Sequence, residues 1–133
     1  TYYAPVDRES DAHHRRTVYR FSPRGGRSSV LDTFDCPDPS TAAPRRSVTT
    51  TPLQALSLLN NAFVLRMAEL FAKRVQDTSG EEVRAQISTA WQLALGRTPD
   101  KTEYRSAAKL VADHGLATLC RALFNSNEFV VIE

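Results

Sequence analysis

The side chains best suited to chemistry lie mostly in the first half of the sequence. His13 and His14 stand beside Asp11, a set of donors that metals use. Adjacent side chains on extended chain point to opposite faces, which places the pair badly for sharing one ion. His114 is the remaining histidine, and a solvated loop accounts for the pair more simply. Asp32, Asp35 and Asp38 recur at every third position. On a helix their carboxylates would be neighbours and would offer oxygens to a hard cation. Pro37 and Pro39 interrupt such a helix. The spacing also departs from the calcium loop, which alternates acids around a central glycine. Turn capping, or pairing with Arg45 and Arg46, suits these carboxylates better. No metal site is expected.

Arg24-Gly25-Gly26-Arg27 offers backbone amides to a phosphate, but no Lys-Ser/Thr follows and no G-x-G-x-x-G frame surrounds it. A single RGG-like unit is also thin as an RNA-binding signal, and a flexible loop fits the stretch. Ser28, Ser29 and Thr49-Thr50-Thr51 supply hydroxyls without a G-x-S-x-G elbow. A hydroxyl is a poor nucleophile without a positioned base, and helix capping explains Thr51 fully. No catalytic residue is assigned. Cys36 and Cys120 are too few for a thiolate metal site. Joined, they would close a long loop and add about 4 kcal/mol; unjoined, they would be small buried thiols. Their number leaves both readings open.

These groups must be positioned by a chain of 133 residues, 41% hydrophobic, which is enough sequence for one domain with a core. The formal net charge is +2, too small and too dispersed for a nucleic-acid footprint. Fourteen of the seventeen basic residues are Arg; guanidinium forks pair well with carboxylates, and genome composition explains the bias equally. No apolar run reaches the roughly 18 residues of a membrane span. Thr1-Tyr2-Tyr3-Ala4-Pro5 lacks both an initial Met and the progression of a signal peptide, so a piece of a longer polypeptide is expected.

Residues 1–50 hold five of the seven prolines, and we expect an irregular segment there, packing on a helical bundle formed by the rest of the chain. It carries one or two short strands, the first at Thr17-Val18-Tyr19-Arg20-Phe21, and an apolar turn through Val30, Leu31 and Phe34. From Thr51 the pattern turns helical, predicting a mainly α fold over 51–133: an antiparallel bundle of about five short helices. Thr51 as N-cap, Pro52 at the first helical position and Gln54 closing a capping box start the first helix, with Leu53, Leu56 and Leu59 as its apolar face. Asn60-Asn61 breaks it. Ala62 to Val75 forms the second, with Phe63, Met67, Leu70, Phe71 and Val75 on its stripe. A capping box from Ser79 to Glu82 opens the third, which carries Val83, Ile87, Ala90, Trp91, Ala94 and Leu95 and closes at Gly96. Thr98-Pro99 starts the fourth, which stops at Gly115. The fifth presents Leu116, Leu119, Cys120, Leu123 and Phe124. Phe129-Val130-Val131-Ile132 reads as a short extended tail.

Several stretches carry a family likeness: Arg15-Arg16-Thr17-Val18-Tyr19-Arg20-Phe21, Phe34-Asp35-Cys36-Pro37-Asp38-Pro39-Ser40, the run from Thr49 to Asn61, Ala94-Leu95-Gly96-Arg97-Thr98-Pro99, and Leu123 to Phe129. In order and over nearly the whole chain they resemble the C-terminal part of the planctomycete-type domain of unknown function number fifteen fifty-three. The resemblance implies a large exported protein, periplasmic or extracellular. It also implies an upstream companion domain and often a cytochrome-c-like domain. Members often have Pro where Ala62 stands, which softens the break expected there. The likeness brings no catalytic residue. This chain has no Cys-x-x-Cys-His, so it attaches no haem itself, and no cofactor is expected.

These observations together point to a non-catalytic helical module that docks on upstream domains of the same polypeptide or on a partner protein. Its contact is expected in residues 7–46, with Arg15, Arg16, Asp35, Asp38, Arg45 and Arg46 as the candidate interaction surface. The alternative is part of an enzyme or redox-linked complex, with polysaccharide-related chemistry as one form of it, whose site is completed upstream. That alternative predicts a cleft lined by Asp35, Asp38, His13 or Arg46.

Overall fold

A reciprocal pair of hydrogen bonds sets the first long run of helix. The Gln54 amide N–H donates to Thr51 Oγ1 at 3.3 Å and the Thr51 amide N–H donates to Gln54 Oε1 at 3.1 Å. This is the capping box expected from the sequence, and it satisfies two amides that helix geometry leaves without partners. The computed structural model describes residues 16–19, 29–38, 40–45, 49 and 51–130. Among them the elements are a 3-10 turn at Thr17–Tyr19 and seven α-helices: α1 (Ser29–Thr33), α2 (Pro52–Asn60), α3 (Ala62–Ser79), α4 (Val83–Leu95), α5 (Lys101–His114), α6 (Leu116–Phe124) and α7 (Asn127–Val130). The protein is mainly helical, and the described residues include no strand. The strand expected at 17–21 is a 3-10 turn as far as Tyr19; Arg20 and Phe21 lie outside the described residues.

The chain divides into two units, residues 1–57 and 58–133. In the first, α1 ends in a Schellman arrangement. The Cys36 N–H reaches back to Leu31 O at 3.0 Å and the Asp35 N–H to Asp32 O at 3.3 Å, with Asp35 in the left-handed region at φ 58°. Glycine usually fills this position, and aspartate is one of the few other residues that tolerate it.

The second unit holds the core. Ala68, Ala72 and Val75 of α3, Ile87, Ala90 and Trp91 of α4, Ala107 of α5, and Leu116, Leu119, Cys120 and Leu123 of α6 form one buried cluster. Helix α6 packs against α3, α4, α5 and α7, so the most apolar stripe of the chain lies between the other helices. Four alanines in the cluster bring the helix backbones close together. This corrects the stripe expected on α3. Phe63 and Leu70 are exposed, and the small Ala68 and Ala72 are buried in their place. Periodicity read on large residues alone rotates the helix away from its true buried face. Val83, expected in the α4 stripe, sits exposed in the first turn of that helix.

Three further boundaries differ from expectation. Ser79 caps nothing: α3 continues through it, and its hydroxyl donates to Val75 O at 2.6 Å. Glu82 is the N-cap of α4 without a side-chain bond, and Gln86 Nε2 donates to Gly80 O at 2.7 Å to fix that turn. Helix α5 starts at Lys101, with Asp100 as N-cap, because Asp100 and Glu103 form a reciprocal capping box, a stronger arrangement than Thr98 could make with Pro99 after it. Phe129 and Val130 lie in helix α7, not in an extended tail. The expected left-handed closure of α4 is present at Gly96, φ 72° and ψ 8°, a conformation that costs a side-chain-bearing residue about 1 kcal/mol or more. Among the described residues no single helix is long and apolar enough to cross a membrane.

Candidate functional site

Among the described residues, long-range hydrogen bonds between polar side chains gather in two clusters, one in each unit. In the first unit the Asp35 carboxylate accepts from the Thr49 amide N–H at 2.6 Å and from Thr49 Oγ1 at 2.8 and 2.9 Å. Gln54 Nε2 donates to Thr49 Oγ1 at 3.2 Å and reaches Asp35 Oδ2 at 3.5 Å. Gln54 therefore does two jobs: its oxygen caps α2 and its nitrogen binds the loop that precedes α2. The left-handed backbone at Asp35 directs the carboxylate to Thr49, and a glycine there would keep the turn but lose this tie. Asp38 closes a local turn, accepting from the Ser40 amide at 2.8 Å and the Ser40 hydroxyl at 2.6 Å. Turn capping, or pairing with Arg45 and Arg46, is the role expected for these aspartates, and Asp38 caps the turn at Ser40. Their link to Thr49 and Gln54 is not legible in the sequence, because no local pattern announces a bond between residues 14 or 19 positions apart.

In the second unit Arg97 directs its guanidinium at two carboxylates. Nε and Nη2 donate to Glu128 at 2.7 Å each, and Nη1 and Nη2 donate to Glu103 at 2.8 and 2.6 Å. Nη1 also reaches Thr98 O at 3.3 Å, so all five guanidinium N–H groups have acceptors. Glu103 Oε2 also accepts from the Asp100 amide at 2.8 Å. The paired Arg97 and the Asp100 amide hold the Glu103 carboxyl down to about 2. Hydrogen bonding to Arg97 also lowers Glu128, against partial desolvation and the like charge of Glu103. Arg97 is in turn held firmly protonated by the two carboxylates, Glu103 first. The indole N–H of Trp91 is buried without a hydrogen-bond partner. The cluster is partly exposed, with side-chain exposures of 40% for Arg97, 31% for Glu103 and 46% for Glu128, so water screens it and its value lies in two-pronged geometry.

The other candidates are dispersed. Arg16 and Arg45 are exposed, and His114 is exposed in the last turn of α5. Asp11, His13, His14, Arg15, Arg46, Thr50 and the segment Arg24 to Ser28 lie outside the described residues; His13 and Arg46 are two of the four residues named for the cleft of a polysaccharide-active reading. Among the described residues no three His, Cys, Asp or Glu side chains gather as a metal site. Both cysteines are free thiols. Cys36 is half-buried, while Cys120 is buried and burial pushes its thiol up to about 12. That is the inert state of a core cysteine.

The model of the PSD1 family, described as "Protein of unknown function (DUF1553)", matches residues 2–111. The chain belongs to this family. The two bonded clusters connect its recognisable stretches in pairs. Phe34 to Ser40 is tied to the run from Thr49 through Asp35, and Ala94 to Pro99 is tied to Leu123 to Phe129 through Arg97 and Glu128. The last of these stretches lies beyond the matched range of the DUF1553 model. No curated protein and no solved structure matches the chain.

Among the exposed apolar residues, which include Val18, Tyr19 and Leu70, two share one face of α2. None of the nine residues of α2 is buried and none is charged. Leu53 is 63% and Leu56 54% exposed, one turn apart on the same face.

Proposed function

We propose that this chain is a non-catalytic interaction module of a larger exported protein, periplasmic or extracellular, and that α2 docks on a further domain of the same polypeptide. The observation that supports this most is the α2 surface: an uncharged helix that leaves Leu53 and Leu56 in water. Each leucine gains about 1.5–3 kcal/mol when fully buried. Contacts that stay closed are apolar and depleted in charge at their centre, which favours a permanent intramolecular partner over a transient one. Arg16 and Arg45 are exposed in the same unit. Asp35 and Asp38 act inside the unit, on Thr49 and Ser40.

Hydrogen exchange over α2, followed in the isolated chain and in the complete polypeptide, tests this reading. Slower exchange in the complete polypeptide is expected. Equal rates in the two contradict it, and protection that depends on protein concentration would assign the face to a second copy instead.

A further inference from the structure

The C-terminal helix α7 is four residues long and buries none of them. A helix so short has no stability of its own, so its shape depends on the groups that hold it. Two side chains do so. Glu128 sits in the Arg97 fork, and the Phe129 ring lies 4.9 Å from that of Phe124, which in turn lies 5.3 Å from Phe71. Glu128 and Phe129 are 46% and 41% exposed. The attachment also includes packing of α7 against α4 and α6 and the Asn125–Ser126 turn, whose Ser126 carbonyl accepts from the amides of Phe129 and Val130 at 3.1 and 3.2 Å.

The geometry points to α7 as a detachable strap that fills, from within the chain, a socket for an acidic residue followed by an aromatic one. The socket has two parts. The Arg97 edge formed by Nε and Nη2 binds a carboxylate in two-pronged fashion, and the Phe124 ring offers a face for stacking. Neither part is lost when the strap leaves. The Glu103 fork keeps the Arg97 side chain in place, and Phe71 keeps Phe124 packed. An open strap therefore leaves a preorganised site rather than a collapsed one. Its partner is a peptide segment carrying Glu-Phe on one turn of helix, and α7 itself defines that chemistry. The inference concerns the second unit and does not rest on α2.

The test uses the whole chain and a synthetic peptide with the sequence of residues 125–133. In the chain carrying Glu128→Gln with Phe129→Ala the strap is weakened. The peptide should bind this variant and raise the signal of Trp91, the sole tryptophan, while binding the unaltered chain at least roughly tenfold more weakly because its socket is already filled. The same peptide with Glu replaced by Gln should bind neither. Equal binding to both chains, or to neither, overturns the proposal. A second measurement on the unaltered chain guards against a variant that fails to fold. The amides of Phe129 and Val130 should exchange by local opening, much faster than those of α6. If they exchange only with global unfolding, α7 is a fixed part of the bundle and the socket never opens.

Discussion

Replacing Ile87 with Ala measures directly whether the second unit is held by the core described above. Ile87 is completely buried, as are Val75 and Cys120. The substitution removes three carbons, worth about 2.4 kcal/mol at about 0.8 kcal/mol per buried methylene. The space left behind cannot close fully between α3, α4 and α6, which brings the loss to about 3–4 kcal/mol. A domain of this size has total stability on the order of 4–11 kcal/mol, so the melting temperature should fall by roughly 12–32 °C. Leu93→Ala is the control. It lies on the same helix but is 42% exposed, and its loss should stay below about 1 kcal/mol. Ile87→Val should fall between, at about 0.5–1.5 kcal/mol. Urea unfolding followed by helical circular dichroism gives all three values. Equal effects at positions 87 and 93 would mean that α4 packs by a different face, and the core assignment would fail.

Other consequences are as direct. Glu103 is held at about 2, below its ordinary 4.5, so the stability it contributes is present above pH 4.5 and lost as the pH falls towards 2. Urea midpoints across that range should drop more steeply for the native chain than for Glu103→Gln, and high salt should blunt the difference. A thiol reagent should label Cys120 at the rate of unfolding, since it is buried with its thiol pushed up to about 12, and rapid labelling in the native protein would contradict its place in the core. Asp35→Asn keeps a residue tolerant of the left-handed backbone, whereas Asp35→Ala loses both that tolerance and the acceptors for Thr49. The Thr49 amide should therefore exchange faster in both variants, and the alanine variant should be the less stable by about 1 kcal/mol.

Local signals in the sequence are reliable where the physics is local. The Thr51–Gln54 box, the break before Ala62, the closure at Gly96 and the stop at Gly115 all depend on residues within a turn of one another. The stripe of α6 is legible because its leucines and Cys120 recur at helical spacing. Where two local signals compete, the more conspicuous one misleads. Ser79 looks like a cap but is the last residue of α3, and Thr98-Pro99 looks like a start, although Asp100 and Glu103 bond better. β-propensity misleads at Phe129-Val130, where attachment to Arg97 and Phe124 decides the conformation. The two polar clusters are illegible for a different reason. Asp35 with Thr49, and Arg97 with Glu128, are 14 and 31 residues apart, and no periodicity links residues so distant. The first of the two clusters removes a candidate from function: the Asp35 carboxylate, which holds an amide and a hydroxyl in place, serves the fold first.

The proposed function turns on α2 as the face that makes the contact, and Leu53→Glu together with Leu56→Glu tests it most directly. Both positions are exposed, so the variant chain alone should keep its helicity and lose no more than about 1 kcal/mol. In the complete polypeptide, cut once on the N-terminal side of this chain, gel filtration should show the unaltered chain still held by its neighbour and the variant released from it. A variant that remains bound as firmly as the unaltered chain would show that the contact lies elsewhere.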